Sequence, residues 1–259
     1  MPPEAQQLGC LLSLFAPAPF QWSLVETCVI ETENQEQWYQ QQEVLEELRD
    51  RFLVNRNLLQ LGEQQTYRLD QLIREFFQTK LAQSPEADCY KQRFCKGMVA
   101  VAKKIPQTPT RDDITAVTPA IPHLKEAAKV LTDWLRDEDF FWPFVGLGRF
   151  YEGQGTYDQA ELWRHECLEI TKRRLGQNHV WVGASLNNLG LLYWSMGRYD
   201  EAETDYEKAL EIAEGQLGLN HPNTVTCRQS LEILRSPLLR EIIRMALQLS
   251  VALNSWFPH

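Results

Sequence analysis

Two stretches of this chain repeat one another at a fixed distance: GTYDQAELWRHECLEITKRRLGQNH begins at Gly155 and GRYDEAETDYEKALEIAEGQLGLNH at Gly197. An offset of 42 residues superimposes Gly155 on Gly197, Tyr157 on Tyr199, Asp158 on Asp200, Ala160 on Ala202 and Glu161 on Glu203. It also lays Leu168 on Leu210, Gly176 on Gly218 and His179 on His221, while upstream Leu147, Gly148 and Tyr151 fall on Leu189, Gly190 and Tyr193. A period of this length belongs to stacked helix pairs, because one pair cannot bury its apolar face and must lean on the next. Small residues mark where helices approach: Gly148 and Gly190 on the first helix of each pair, Ala160 and Ala202 on the second. A glycine inside a helix costs about 1 kcal/mol relative to alanine, so Gly190 is expected at a contact worth more than that. Asp158 and Asp200 are expected at helix starts, accepting orphan N–H groups. His179 and His221, in the matched loops LGQNH and LGLNH, are expected to cap or pack those turns.

These residues resemble the tetratricopeptide repeat in its long form, found in kinesin light chains and many bacterial arrays. The stretch from Ala184 to Thr224 follows that pattern nearly position by position, and Leu147 to Asn178 follows it well. The resemblance implies a right-handed superhelix whose concave wall, lined by first helices, grips a peptide or partner domain without catalysis. If Leu147, Gly148 and Tyr151 face the partner helix, the remaining face of that first helix carries Trp142, Val145, Arg149 and Glu152. One repeat later the same face carries Ala184, Asn187, Leu191 and Trp194, with Asn188 beside it. In the family, asparagines at such positions bond an extended peptide's backbone, since a side-chain amide both donates and accepts. The expected partner-binding residues are therefore Trp142, Arg149, Asn187, Asn188, Leu191 and Trp194. In strict register the next first helix offers Gln229 and Ser230 where Asn187 and Asn188 stand.

Upstream, residues 1–82 read as a small domain. LGCLLSLFA suggests a short helix stopped by the prolines of APAPF, and WSLVETCVIE a second. A third runs from Trp38 with Val44, Leu45, Leu48, Phe52 and Leu53 at roughly helical spacing. Leu58–Leu61 and Tyr67–Leu69 read as a hairpin turning at Gly62–Gln65. A last helix puts Leu69, Leu72, Ile73, Phe76, Phe77 and Leu81 on one side. Three helices and a hairpin make up a winged helix, and the segment resembles the winged-helix domain of bacterial signal-transduction ATPases of the NB-ARC type. That family more often has histidine where this chain has Asp70, and in it such a histidine can reach the nucleotide's phosphates, so its absence argues against a nucleotide-sensing role. No GxxxxGK[ST] run occurs anywhere in the chain, so ATP binding is not expected. On the third helix Glu46, Glu47 and Asp50 stand against Arg49 and Arg51, a poor reader of a polyanion.

Residues 83–138 read as bridging and capping helices, one from Ser84 and Pro85 to Pro106, the others near 113–118 and 122–135. Here the charge inverts. The chain as a whole carries −9, yet residues 91–136 hold 9 basic and 4 acidic side chains. Residues 137–214 return to 7 basic against 15 acidic, so the repeats favour a basic partner and disfavour nucleic acid. The six cysteines, at 10, 28, 89, 95, 167 and 227, form no CxxC pair and are expected as reduced thiols. His123 has no second ligand nearby and is expected in the core. His165 and Cys167, two apart, point to different helix faces and make no nucleophile–base pair. No metal, cofactor or catalytic residue is expected.

Residues 139–236 hold the repeats and 237–259 a separate C-terminal helix. After HPNTVTCRQSLEIL the expected GxYxxA hairpin does not follow. A final helix over 238–257 is expected either to cap the last repeat or to serve as a self-associating end. Its apolar run is shorter than the ~20 residues that span a bilayer. The start MPPEAQQLG has no basic residue, and LLSLFAPAPF is interrupted by prolines, so a secretory leader is not expected and the cytoplasm is the default compartment. The fold expected is mainly α: a winged-helix-like domain with a small hairpin, then an α-solenoid of tetratricopeptide repeats.

Overall fold

The computed structural model describes residues 1–30, 32, 34–62, 65–238 and 241. The expected helix over 238–257, and any self-association through it, lies almost wholly outside them. The chain packs as two compact units, Met1–Gly155 and Thr156–His259.

In the first unit, α1 (Pro3–Leu12), β1 (Phe20–Gln21), α2 (Trp22–Val29) and α3 (Gln35–Leu48) come first. Helix α3 runs on as a π-helical turn over Arg49–Val54, followed by β2 (Leu59–Leu61), β3 (Thr66–Leu69) and α4 (Gln71–Ala82). The antiparallel sheet has the order β1-β3-β2, with Phe20 opposite Tyr67 and Leu59 opposite Leu69. Helices α1–α3 interleaved with the three strands make a winged-helix-like arrangement, which α4 follows. Sequence reading had missed β1, a two-residue strand that exists only through its pairing with β3.

Amphipathic reading of two helices needs correction. Val44 of α3 and Leu72 and Phe76 of α4 are exposed, whereas Leu45, Leu53, Phe77 and Leu81 are buried. Asp70 is the N-cap of α4, its Oδ1 accepting from the Leu72 N–H at 2.9 Å.

Helix α5 (Ala87–Lys104) is the axis of this unit. Its Tyr90, Phe94, Cys95, Met98, Val99 and Ala102 are buried, and it packs on α1, α2, α7 (Ile121–Lys129) and α8 (Trp142–Gly153). A Cβ on Gly97 would lie 2.4 Å from Cys28 Sγ, so α2 and α5 meet where only glycine fits. Between α5 and α7 lies α6 (Arg111–Val117), opened by a capping box of Thr110 and Asp113. His123 of α7 is fully buried. Its Nδ1 accepts from the Ala16 N–H at 3.0 Å and its Nε2 lies 3.3 Å from the Pro19 carbonyl, tying the proline-rich loop into the core.

The second unit is a solenoid of helix pairs: α9 (Tyr157–Leu175), α10 (Val180–Ser195), α11 (Tyr199–Leu217) and α12 (Pro222–Arg235). Leu168, Val182, Leu189, Tyr193, Ala202, Tyr206, Ala209 and Leu231 belong to its core. The repeat reappears as geometry. Gly176 and Gly218 end α9 and α11 at φ +91° and +85°, the left-handed region that favours glycine. His179 and His221 then cap α10 and α12, each Nδ1 accepting from the N–H two residues on, Trp181 and Asn223, at 3.2 Å. Asp158 and Asp200 do not cap: they are the second residues of α9 and α11, whose cap residues Thr156 and Arg198 make no side-chain cap bond. Their contribution is the favourable placement of negative charge in the first turn.

Candidate functional site

A first helix in such an array presents one face to its pair-mate and the other inward. On α10 buried Gly190 meets Tyr206 of the pair-mate α11, and buried Tyr193 reaches Glu161 and His165 of α9. The next face holds Ala184, Asn187, Asn188, Leu191 and Trp194, all half-buried. Four turns of α10, from Val180 to Ser195, carry no charged residue.

Between α10 and α12 lies a cleft of about 170 Å³. Asn187 and Asn188 stand on one side, Asn223 and Thr226 on the other, with Ala213 and Leu217 of α11 completing the lining. The Asn187 Oδ1 accepts a weak bond from Cys227 Sγ at 3.6 Å. Its Nδ2, and the whole amide of Asn188, bond to no described residue. An unbonded amide in a half-buried cleft is a donor and acceptor pair held ready for another backbone. Every residue lining the cleft is uncharged.

The acidic surplus of the repeats lies outside this cleft, and part of it is paired with arginines. Arg198 bonds Glu161 at 2.7 Å and Glu201 at 2.6 Å, Arg228 bonds Glu214 at 2.8 Å, and Arg235 bonds Glu203 at 2.6 Å and also Glu207. Glu161 further accepts from the Tyr193 hydroxyl at 3.1 Å. His165 Nε2 lies 2.8 Å from the same hydroxyl, while buried Cys167 faces Ser185 Oγ at 3.8 Å, so the two side chains have separate partners.

Of the residues singled out by sequence, Asn187, Asn188, Leu191 and Trp194 are half-buried on α10, and Asn187 and Asn188 line the cleft. The Trp194 ring packs against the repeat core, and its Nε1 is buried without an acceptor. Trp142 and Arg149 belong to the first unit and to each other. The Arg149 guanidinium sits 5.8 Å from the Trp142 ring and Lys103 at 5.7 Å, and Arg149 Nη1 donates to the Ile105 carbonyl at 3.0 Å. Asn223 and Thr226 were missed. The register comparison stopped at Gln229 and Ser230, one to two turns too late; shifting Ala184 by the repeat length gives Thr226 directly.

In the winged-helix part, the cations of α3 and its extension are already engaged. Arg49 lies 5.0 Å from the Trp22 ring and 5.3 Å from that of Tyr67 and bonds Asp50 at 2.6 Å, while Arg51 pairs with Glu47 at 3.2 Å. Among the described residues no cluster of three or more His, Cys, Asp or Glu is placed to hold a metal ion, and no helix is long and apolar enough to cross a membrane.

Comparison with known families agrees with this geometry for the repeats. The tetratricopeptide repeat model matches residues 139–214 and again 182–236. No curated protein matches the chain.

Proposed function

We propose that the helix-pair array is a non-enzymatic docking module which holds an extended peptide along the α10–α12 cleft. Solenoids of this type generally serve protein–protein interaction, and the cleft gives that role a chemistry. The observation that carries the reading is the adjacent pair Asn187 and Asn188 in a half-buried cleft, where the Asn187 Nδ2 and the Asn188 amide bond to no described residue and the Asn187 Oδ1 takes only a weak bond from Cys227 Sγ. Asn223 faces them from α12. A peptide backbone offers one donor and one acceptor per residue, the complement of an unbonded amide. The peptide favoured is neutral along the stretch that touches the cleft, because no charged side chain lines it.

Leu191 and the edge of Trp194 extend the same face and would take an apolar side chain flanking that stretch. Trp142 and Arg149 remain part of the proposal as a second contact region, with the indole already paired to two cations. Duplex DNA is not the proposed partner: Arg49 and Arg51 are bound to carboxylates, leaving the winged-helix face little to offer phosphates. Attachment to a cytoplasmic signalling assembly is a further part of the proposal that rests on the sequence resemblance alone.

The test is selection of binders from a random peptide display library by the full chain, repeated with Asn187→Ala and Asn188→Ala. Enriched peptides that lose enrichment on both variants support the reading. Recovery of no peptide whose enrichment depends on Asn187 or Asn188 would sink it.

A further inference from the structure

The basic run over residues 91–136 has no role in the repeat module, and folding gathers part of it around a second cleft. This cleft lies between α5 and the segment 134–139 and has a volume of about 290 Å³. Arg93 and Lys96 reach it from α5 and Arg136 from the opposite wall, while Val99, Trp134 and Leu135 supply apolar lining. Asp139 is the carboxylate of the lining, and it is already held by Lys103 at 2.7 Å and Arg136 at 3.2 Å. Arg136 also pairs with Glu138 at 3.1 Å. Arg93 differs: half-buried in this cleft, it makes no ion pair or hydrogen bond with any described residue. The Trp134 ring beside it is fixed, its Nε1 donating to Asp88 at 2.9 Å and Lys91 lying 3.9 Å over its face.

We infer that this cleft docks an acidic peptide segment, taking carboxylate or phosphoryl oxygens on Arg93. A guanidinium presents a rigid fork of donors suited to two oxygens at once, and one left without a counter-ion can offer both to a carboxylate or phosphoryl group. The apolar lining argues for a peptide over a free anion. An inorganic ion would gain nothing from Val99, Leu135 and Trp134, whereas an acidic residue followed by an aliphatic one would bury its neighbour there. The site is opposite in charge preference to the neutral α10–α12 cleft, so the inference stands independently of it.

The test uses the full chain and fluorescence polarisation of labelled octapeptide pools with glutamate, phosphoserine or glutamine fixed at two alternate positions and the rest random. Glutamate or phosphoserine pools should bind saturably, more weakly as salt is raised, and the glutamine pool should not. Arg93→Gln should weaken binding by roughly tenfold or more, the effect expected for losing a charged anchor, while Lys80→Gln and Asn187→Ala leave it unchanged. Preference between glutamate and phosphoserine pools identifies the source of the oxyanion. Arg93 has no internal partner, so Arg93→Gln should unfold at the wild-type temperature; if it does not, Arg136→Gln serves as the second variant. Equal binding of acidic and glutamine pools, equal loss in Arg93→Gln and Lys80→Gln, or binding of inorganic phosphate with none of any peptide pool would overturn the inference.

Discussion

Gly190 of α10 lies so close to Tyr206 of α11 that a Cβ on the glycine would come within 2.8 Å of the tyrosine ring. This contact sets the spacing of the α10–α11 hairpin, and it explains why a residue poorly suited to helices stands in the middle of one. Gly190→Ala should destabilise the second unit by about 1–3 kcal/mol, the range for overfilling a packed site. Gly215, on α11 with nothing within 4 Å of its absent Cβ, is the control. Gly215→Ala should stabilise by up to about 1 kcal/mol through helix propensity. Urea unfolding of both variants checks the pair; equal effects would mean that the helix spacing is not set at Gly190.

The matched caps predict a second pair of effects. His179 and His221 each satisfy an N–H in the first turn of a first helix. Alanine at either position should cost about 1 kcal/mol, and asparagine, another N-cap former, should recover most of it. Amide hydrogen exchange at Trp181 and Asn223 reads the same bond locally. Unchanged exchange in the alanine variants would show that these imidazoles do not hold the helix starts.

In the first unit, pH should act through His123. Burial holds its pKa at about 4, below the ordinary value of 6.5, and its Nδ1 must stay unprotonated to accept from Ala16. In the unfolded chain the same imidazole takes up its proton first as pH falls. Its contribution is therefore fully present above about pH 6.5 and is lost as pH falls towards 4, amounting to about 3 kcal/mol. Comparison of wild type with His123→Gln between pH 4 and 7 checks this. The wild-type curve should be the steeper; parallel curves would contradict the assignment.

The hydroxyl of Tyr193 joins three side chains that sequence alone did not link. It donates to Glu161, meets His165 Nε2, and its ring lies 4.3 Å beneath the Arg198 guanidinium. Burial, together with the Glu161 charge, pushes the phenol up to about 12. Tyr193→Phe should keep the ring's packing and lose the bond, lowering stability by about 1 kcal/mol. Absorbance titration of wild type and variant should show the missing phenol as one that ionises above pH 11; a normal midpoint near 10 would contradict the buried network.

The legible parts of this fold were those fixed by local chemistry repeated in register. The glycines at the ends of α9 and α11, the histidine caps and the Gly190 contact all follow from matching residues 42 apart. What escaped depended on distant partners. Strand β1 is two residues defined by distant partners, Phe20 pairing with Tyr67 of β3 and packing its ring on Phe15 and His123. Leu72 and Phe76 fit the apolar stripe of α4 but end up exposed, because periodicity says which residues share a face and not what covers it. The lining of the α10–α12 cleft was half legible: Asn187 and Asn188 share a helix face in the sequence pattern, whereas Asn223 enters from the first turn of α12, a placement that depends on how two helices converge.

The docking account stands on the Asn188 amide and the Asn187 Nδ2, which bond to no described residue, beside an Asn187 Oδ1 held only by a weak thiol bond. The most direct measurement is the dissociation constant of one library-selected peptide for the wild-type chain, for Asn187→Ala/Asn188→Ala, and for the exposed control Glu166→Ala. The account predicts roughly a tenfold to hundredfold loss for the double variant, the scale of one or two unmade bonds to a desolvated backbone, and none for Glu166→Ala. Equal constants for all three proteins would contradict it.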